Sequence, residues 1–139
     1  MGAIHEVHTH WQSGTAFDTV VNGHSIRLDD STESGGQNSG PRPKALMLSA
    51  LAGCSGFDVV SILNKMRVEY SDFDIDVTAE LSEEHPKVYT RIHMIYFIRL
   101  QPEEQPKMEK AVHLSHDKYC GVSAMLKMVC PVTWEIQYL

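Results

Sequence analysis

Residues 43–66, PKALMLSALAGCSGFDVVSILNKM, decide how this chain is organised. Pro43 suits the first turn of a helix, where its missing N–H costs nothing, and the apolar residues after it occupy nearly every face rather than one stripe. We expect a helix from Lys44 to about Met66 that must be covered all round. A chain of 139 residues has few elements to do that, so a second copy of the same helix across a twofold axis is an economical partner. Residues 45–63 are also long enough to span a bilayer. Asp58 and three serines oppose that reading, because a carboxylate near mid-span costs roughly 2.5–3.5 kcal/mol. We expect a helix buried by protein, with no membrane partner.

Within this helix Cys54 stands between Gly53 and Gly56. Each mid-helix glycine costs roughly 1 kcal/mol relative to alanine, so the pair calls for a close approach. Either another helix crosses here, or space is left for a ligand beside the sulfur.

Upstream, residues 3–11, 15–21 and 24–29 are short runs rich in Val, Ile, Thr and aromatics, separated by QSG and by Asn22-Gly23, a strong two-residue hairpin signal. Residues 30–43, DSTESGGQNSGPRP, are turn formers and small polar residues, and we expect a mobile loop that delivers the chain to the helix. Downstream come two long strands, Val68–Leu81 and Val88–Leu100, the first alternating Phe73, Ile75 and Val77. An amphipathic helix over Pro102–Tyr119 follows, with Met108, Ala111, Val112 and Ser115 on one face and Glu103 paired with Lys107 on another. A short helix from about Val122 to Val129 and a closing strand in PVTWEIQYL, residues 131–139, complete the order βββ, α, ββ, αα, β. That order implies one α+β domain over residues 1–139, with antiparallel sheets and a long central helix.

With 18 acidic and 12 basic residues the formal charge is −6, which argues against nucleic acid or an anionic membrane as partner. The N-terminal MGAIHEVHTHW lacks the apolar core of a secretory signal, and we expect a cytoplasmic protein. Three cysteines, Cys54, Cys120 and Cys130, make no structural disulfide framework, so each is either packing or chemistry. Cys130, before Pro131 at a strand start, reads as a small core residue. Cys120 opens a short helix beside His116 and Lys118, surroundings that favour thiolate.

"GPRPKALMLSALAGCSGFDVVSILNKMRV" followed, after two strands, by "HLSHDKYCGVSAML" resembles the osmotically inducible protein C and organic hydroperoxide resistance superfamily over nearly the whole chain. The resemblance implies an OsmC-like fold and an intertwined homodimer whose main helices pack at its centre. It further implies a thiol peroxidase of the oxidative stress response that acts on organic hydroperoxides. Cys54 would attack the peroxide and Cys120 would resolve the product as a disulfide. A dithiol would reduce that disulfide, with no metal or organic cofactor.

The chain departs from the pattern at the groups that activate the thiol in such proteins. The hairpin stretch Gly14-Thr15-Ala16-Phe17 has no arginine, and Pro43-Lys44-Ala45 has no glutamate. A thiol in an apolar helix stays protonated unless a cation offsets its desolvation, so we expect Arg42, or else Arg27, to substitute. Arg42 would fold over an apolar pocket bordered by Met47, Leu51 and Phe57 next to Cys54. Asp58, one turn beyond Cys54, is read as a hydrogen-bonded or interface carboxylate. The same departures make a noncatalytic OsmC-like dimer, a small-ligand binder or redox sensor, the rival function.

Other patterns carry less. His8 and His10 share a strand face with Glu6, near His5 and His24, but we read them as solvated and expect no metal. His113 and His116 read as a surface pair, and GGQNSG lacks the lysine and hydroxyl of a phosphate-binding loop.

Overall fold

The computed structural model describes residues 2–139. The chain divides into two compact units, one through Met47 and one over Leu48–Leu139.

The first unit is a meander of three antiparallel strands, β1 (His8–Ser13), β2 (Ala16–Val21) and β3 (His24–Leu28). Asn22 and Gly23 both take positive φ, 51° and 80°, the conformation a two-residue turn needs to match strand twist. β1 begins later than residue 3, because His8 already pairs with Val20, the penultimate residue of β2. Residues 3–7 have almost no strand left to pair with.

The expected mobile loop is instead pinned. The Asp29 carboxylate accepts the hydroxyls of Thr15 at 2.6 Å and Ser39 at 2.7 Å and the backbone N–H groups of Asp30, Gln37 and Ser39. These donors, Thr15 first, hold the carboxyl well below the usual carboxylate range. A Cβ on Gly36 or Gly40 would meet the carbonyl oxygen of Asp30 or Arg27 at 2.2 or 2.3 Å. Those two glycines are therefore required by close backbone approach.

Helix α1 spans Pro43–Lys65, and in the second unit its Leu51, Val59 and Leu63 are fully buried. They pack with Ile92, Met94, Tyr96 and Ile98 of strand β5 (Tyr89–Leu100) and with Met108, Ala111 and Val112 of helix α2 (Gln105–Leu114). The helix is long and apolar enough to cross a membrane, and one face of it packs into this core. It is not covered all round within the single chain. Phe57 is 80% exposed, and a Cβ on Gly53 would meet nothing within 4 Å, whereas one on Gly56 would meet Ile75 Cδ1 at 3.3 Å. Gly56 thus serves packing inside the chain, and Gly53 lies on a bare face.

Strand β4 (Tyr70–Leu81) pairs antiparallel with β5, half-burying Phe73, Ile75, Val77 and Ala79. The closing strand β6 (Val132–Tyr138) lies on the other edge of β5 but runs parallel to it, so this sheet is mixed within the α+β architecture. Parallel pairing needs a long crossover, and α2 with helix α3 (Gly121–Lys127) provides it. The expected helix over Pro102–Tyr119 is segmented: a 3₁₀ turn at Pro102–Glu104, then α2, then a π turn at Ser115–Tyr119. Because of the first break Lys107 pairs with Glu104, at 3.1 Å, and not with Glu103.

Candidate active site

Cys54 and Cys120, expected together, are neighbours: Cys54 is close enough to the Cys120 thiol to perturb it. Cys54 comes from mid-α1 and is half-buried, and Cys120, the residue that caps α3, is 3% exposed. The Cys120 Sγ accepts the Ser123 backbone N–H at 3.3 Å, as an N-cap side chain does. Even so, burial pushes the thiol up to about 11, outweighing that amide, and the neighbouring Cys54 and Asp58 act in the same direction. The expected thiolate-favouring surroundings of Cys120 are therefore not found. His116 supplies no cation, and Lys118 lies over the Tyr119 ring instead, 5.3 Å from its centroid.

His116 is buried, not a surface residue. The π turn carries Ser115 and His116 inward, and the imidazole stacks on Trp134 with centroids 5.9 Å apart. Burial, reinforced by Lys127, lowers it to about 4, so at neutral pH it is a neutral ring with one N–H. Lys127 Nζ donates to its carbonyl at 2.6 Å. His113 keeps the expected exposure, edge-on to Trp134.

Around the thiols runs a continuous hydrogen-bonded chain. Asp58 Oδ2 lies 3.0 Å from Ser115 Oγ, which lies 2.8 Å from Ser55 Oγ. Ser55 Oγ is 2.6 Å from the Tyr96 hydroxyl, Tyr96 is 2.7 Å from His116 Nε2, and His116 Nδ1 is 3.0 Å from Ser123 Oγ. Burial also holds the Tyr96 phenol above the usual tyrosine range. Asp58 is thus a hydrogen-bonded carboxylate, as expected, and it lines a groove of about 370 Å³ with Ile62, Lys65, Met66, Lys110 and Tyr119. Ser55, Tyr96 and Ser123 were not singled out from sequence. Ser115 had left a signal, a hydroxyl on the apolar face of a helix.

Of the expected pocket residues, Arg42 and Met47 belong to the first unit and Leu51 and Phe57 to the second. Leu51 belongs to the core and Phe57, six residues on, faces solvent. In the first unit Arg42 and Met47 line one cavity of about 650 Å³ with Phe17, Leu28 and Lys44. The Arg42 guanidinium donates to Asn38 Oδ1 at 2.8 Å and to the Gly40 carbonyl at 3.1 Å. Arg27 is tied to Asp18 across the hairpin, and Thr15 is held by Asp29. Cys130 is buried in the core.

Residues 36–135 match the model of a family described as OsmC-like protein. Protein YhfA of Escherichia coli strain K12 is 33% identical over 124 residues, covering 88% of this chain and 90% of that protein. The structure of a hypothetical protein from Aquifex aeolicus VF5 superposes with a TM-score of 0.81 at 30% identity, covering 99% of each chain. An organic hydroperoxide resistance protein OsmC from Legionella pneumophila superposes with a TM-score of 0.68 at 15% identity over 97% of each chain, a likeness of fold.

Proposed function

This chain belongs to the OsmC-like protein family, and from that premise we propose that it is a thiol-dependent peroxidase that reduces organic hydroperoxides through Cys54 and Cys120. The observation that carries the reading is the nearness of the two thiols, which come from separate helices. A family relative by fold, from Legionella pneumophila, bears the name organic hydroperoxide resistance protein.

The Cys54 thiolate attacks the terminal peroxide oxygen. An S–O bond forms, the O–O bond breaks, and the alkoxide leaves as the alcohol after taking a proton. Cys54 is then a sulfenic acid, open to irreversible oxidation unless a second thiol reaches it. Cys120, whose burial favours the protonated thiol and which neighbours Cys54, is suited to that resolving role. Disulfide formation releases water, and a dithiol reductant supplies the two electrons that restore both thiols. Arg42, in a largely apolar cavity with Met47 and Phe17, is our candidate for the activating cation. The working form is a cytoplasmic homodimer, with the bare α1 face around Gly53 and Phe57 as its contact.

Thiol labelling during turnover tests this. Cys54→Ser should abolish consumption of cumene hydroperoxide. Cys120→Ser should still take up one oxidising equivalent and trap a dimedone-reactive sulfenic acid at Cys54. Label at Cys120 in the Cys54→Ser protein would reverse the assignment, and thiols inert to every hydroperoxide would favour a binder or sensor. That second reading draws on Thr15, which occupies the hairpin with its hydroxyl committed to Asp29 and offers no cation.

A further inference from the structure

The chain of polar groups from Asp58 to Ser123 has no part in the steps above, yet Ser55, Ser115, His116 and Ser123 are all buried. Its hydrogen inventory is restrictive. Each hydroxyl owns one proton, neutral His116 owns one N–H, and a carboxylate owns none. Ser115 has two acceptors in reach, Ser55 Oγ at 2.8 Å and Asp58 Oδ2 at 3.0 Å, and a single proton to give. As placed, the Ser115 hydroxyl is aimed as a donor at both; if Asp58 takes its proton as a carboxylate, the Ser115–Ser55 bond must turn round, with Ser55 donating to Ser115 and Tyr96 to Ser55. His116 Nε2–H must then donate to Tyr96, and Ser123 to His116 Nδ1. Five protons then satisfy five contacts. If Ser115 gives its proton to Ser55 instead, every bond beyond it reverses and His116 carries its proton on Nδ1.

We propose that Asp58 claims the Ser115 proton and thereby orients the whole chain, making Ser115, Ser55, Tyr96, His116 and Ser123 a one-way proton path between the two ends of the thiol pair. Each end adjoins one of the two cysteines along the chain. Ser123 holds the Cys120 sulfur through its backbone N–H, and Asp58 follows Cys54 by one helical turn in α1. With its proton committed to His116, the Ser123 oxygen is left as an acceptor.

The use of the path rests on the peroxidase reading. Cys120 must lose its proton as its sulfur bonds to Cys54, and hydroxide must leave the Cys54 sulfenic acid. A proton entering at Ser123 moves each proton one place along and leaves one on Asp58, where departing hydroxide takes it up as water. Sulfenic acid and thiol become disulfide and water, with no other reactant. Asp58 is the general acid in this account, and Tyr96 and His116 act through it.

Nitrogen NMR of His116 in the reduced protein reads the orientation without any turnover. The wild type should show the Nε2–H tautomer, and Nδ1–H there would overturn the proposal. Asp58→Asn, which brings an amide donor to Ser115, should shift His116 toward Nδ1–H, and an unchanged tautomer would remove Asp58 as the orienting group. Tyr96→Phe breaks the path at its middle. Dimedone trapping after one equivalent of cumene hydroperoxide should show closure of the disulfide slowed at least tenfold relative to sulfenic acid formation. Unslowed closure refutes the path. Thiols that never react with the peroxide refute the peroxidase reading and leave the tautomer result standing.

Discussion

Acidification should destabilise this protein through one buried ring. His116 is lowered from its ordinary 6.5 to about 4, first by burial and then by Lys127. Between those values the unfolded chain binds a proton that the native state refuses, so stability is complete above pH 6.5 and falls as pH drops toward 4. At about 1.36 kcal/mol per unit the full loss is about 3 kcal/mol, a sizeable share of the 5–15 kcal/mol typical of a domain. For a chain of this size that is roughly 10 °C in Tm. Other groups titrate in the same range, so the measurement has to be a difference. Urea unfolding at fixed protein concentration, from pH 7 to pH 4, should give a steeper acid limb for wild type than for His116→Gln. The glutamine amide can donate to Tyr96 and accept from Ser123 but cannot titrate. The variant should start lower and lose about 3 kcal/mol less over the window. Parallel limbs, or a His116 resonance that titrates near 6.5, would refute the claim that the ring is buried and neutral.

The alkaline limb has the opposite cause. The Cys120 thiol, raised from 9 to about 11, should contribute stability below pH 9 that is lost as pH rises toward 11, about 2–3 kcal/mol in all, and Cys120→Ala should flatten that limb relative to wild type. Gly53→Leu meets open space in the single chain, so it should weaken self-association in sedimentation while leaving monomer folding intact; an unchanged dimer would place the contact elsewhere. Asp29→Ala removes the acceptor shared by Thr15, Asp30, Gln37 and Ser39, and limited proteolysis should then cut within residues 30–42 far faster than in wild type.

Much of the fold was legible because its signals are local. The Asn22-Gly23 turn, the alternation in β4 and the apolar face of α2 each depend on neighbours in sequence, and each is where the pattern put it. The direction of β6 was not legible: Val132, Trp134, Ile136 and Tyr138 half-bury one face whichever way the strand runs, and only the crossover through α2 and α3 makes it parallel. The loop at 30–43 misled for a related reason. Its composition is that of a mobile segment, and what orders it is a single carboxylate, Asp29, gathering donors up to fourteen residues away.

The polar path around the thiols was hidden by distance and by a local distortion. Ser55 meets Tyr96 across 41 residues and Ser115 across 60, and His116 turns inward only because α2 ends in a π turn, a departure from helical period that no 3.6-residue pattern registers. Physical chemistry nevertheless limits what such a cluster can be. A buried donor or acceptor left without a partner costs about 1–3 kcal/mol, so a chain of this kind is stable only when complete, and any deletion within it will weaken the protein whatever its role. Loss of stability therefore cannot separate a structural network from a working one. The rate of disulfide closure in Tyr96→Phe, taken against the rate of sulfenic acid formation, can, because a network that only packs would leave that ratio unchanged.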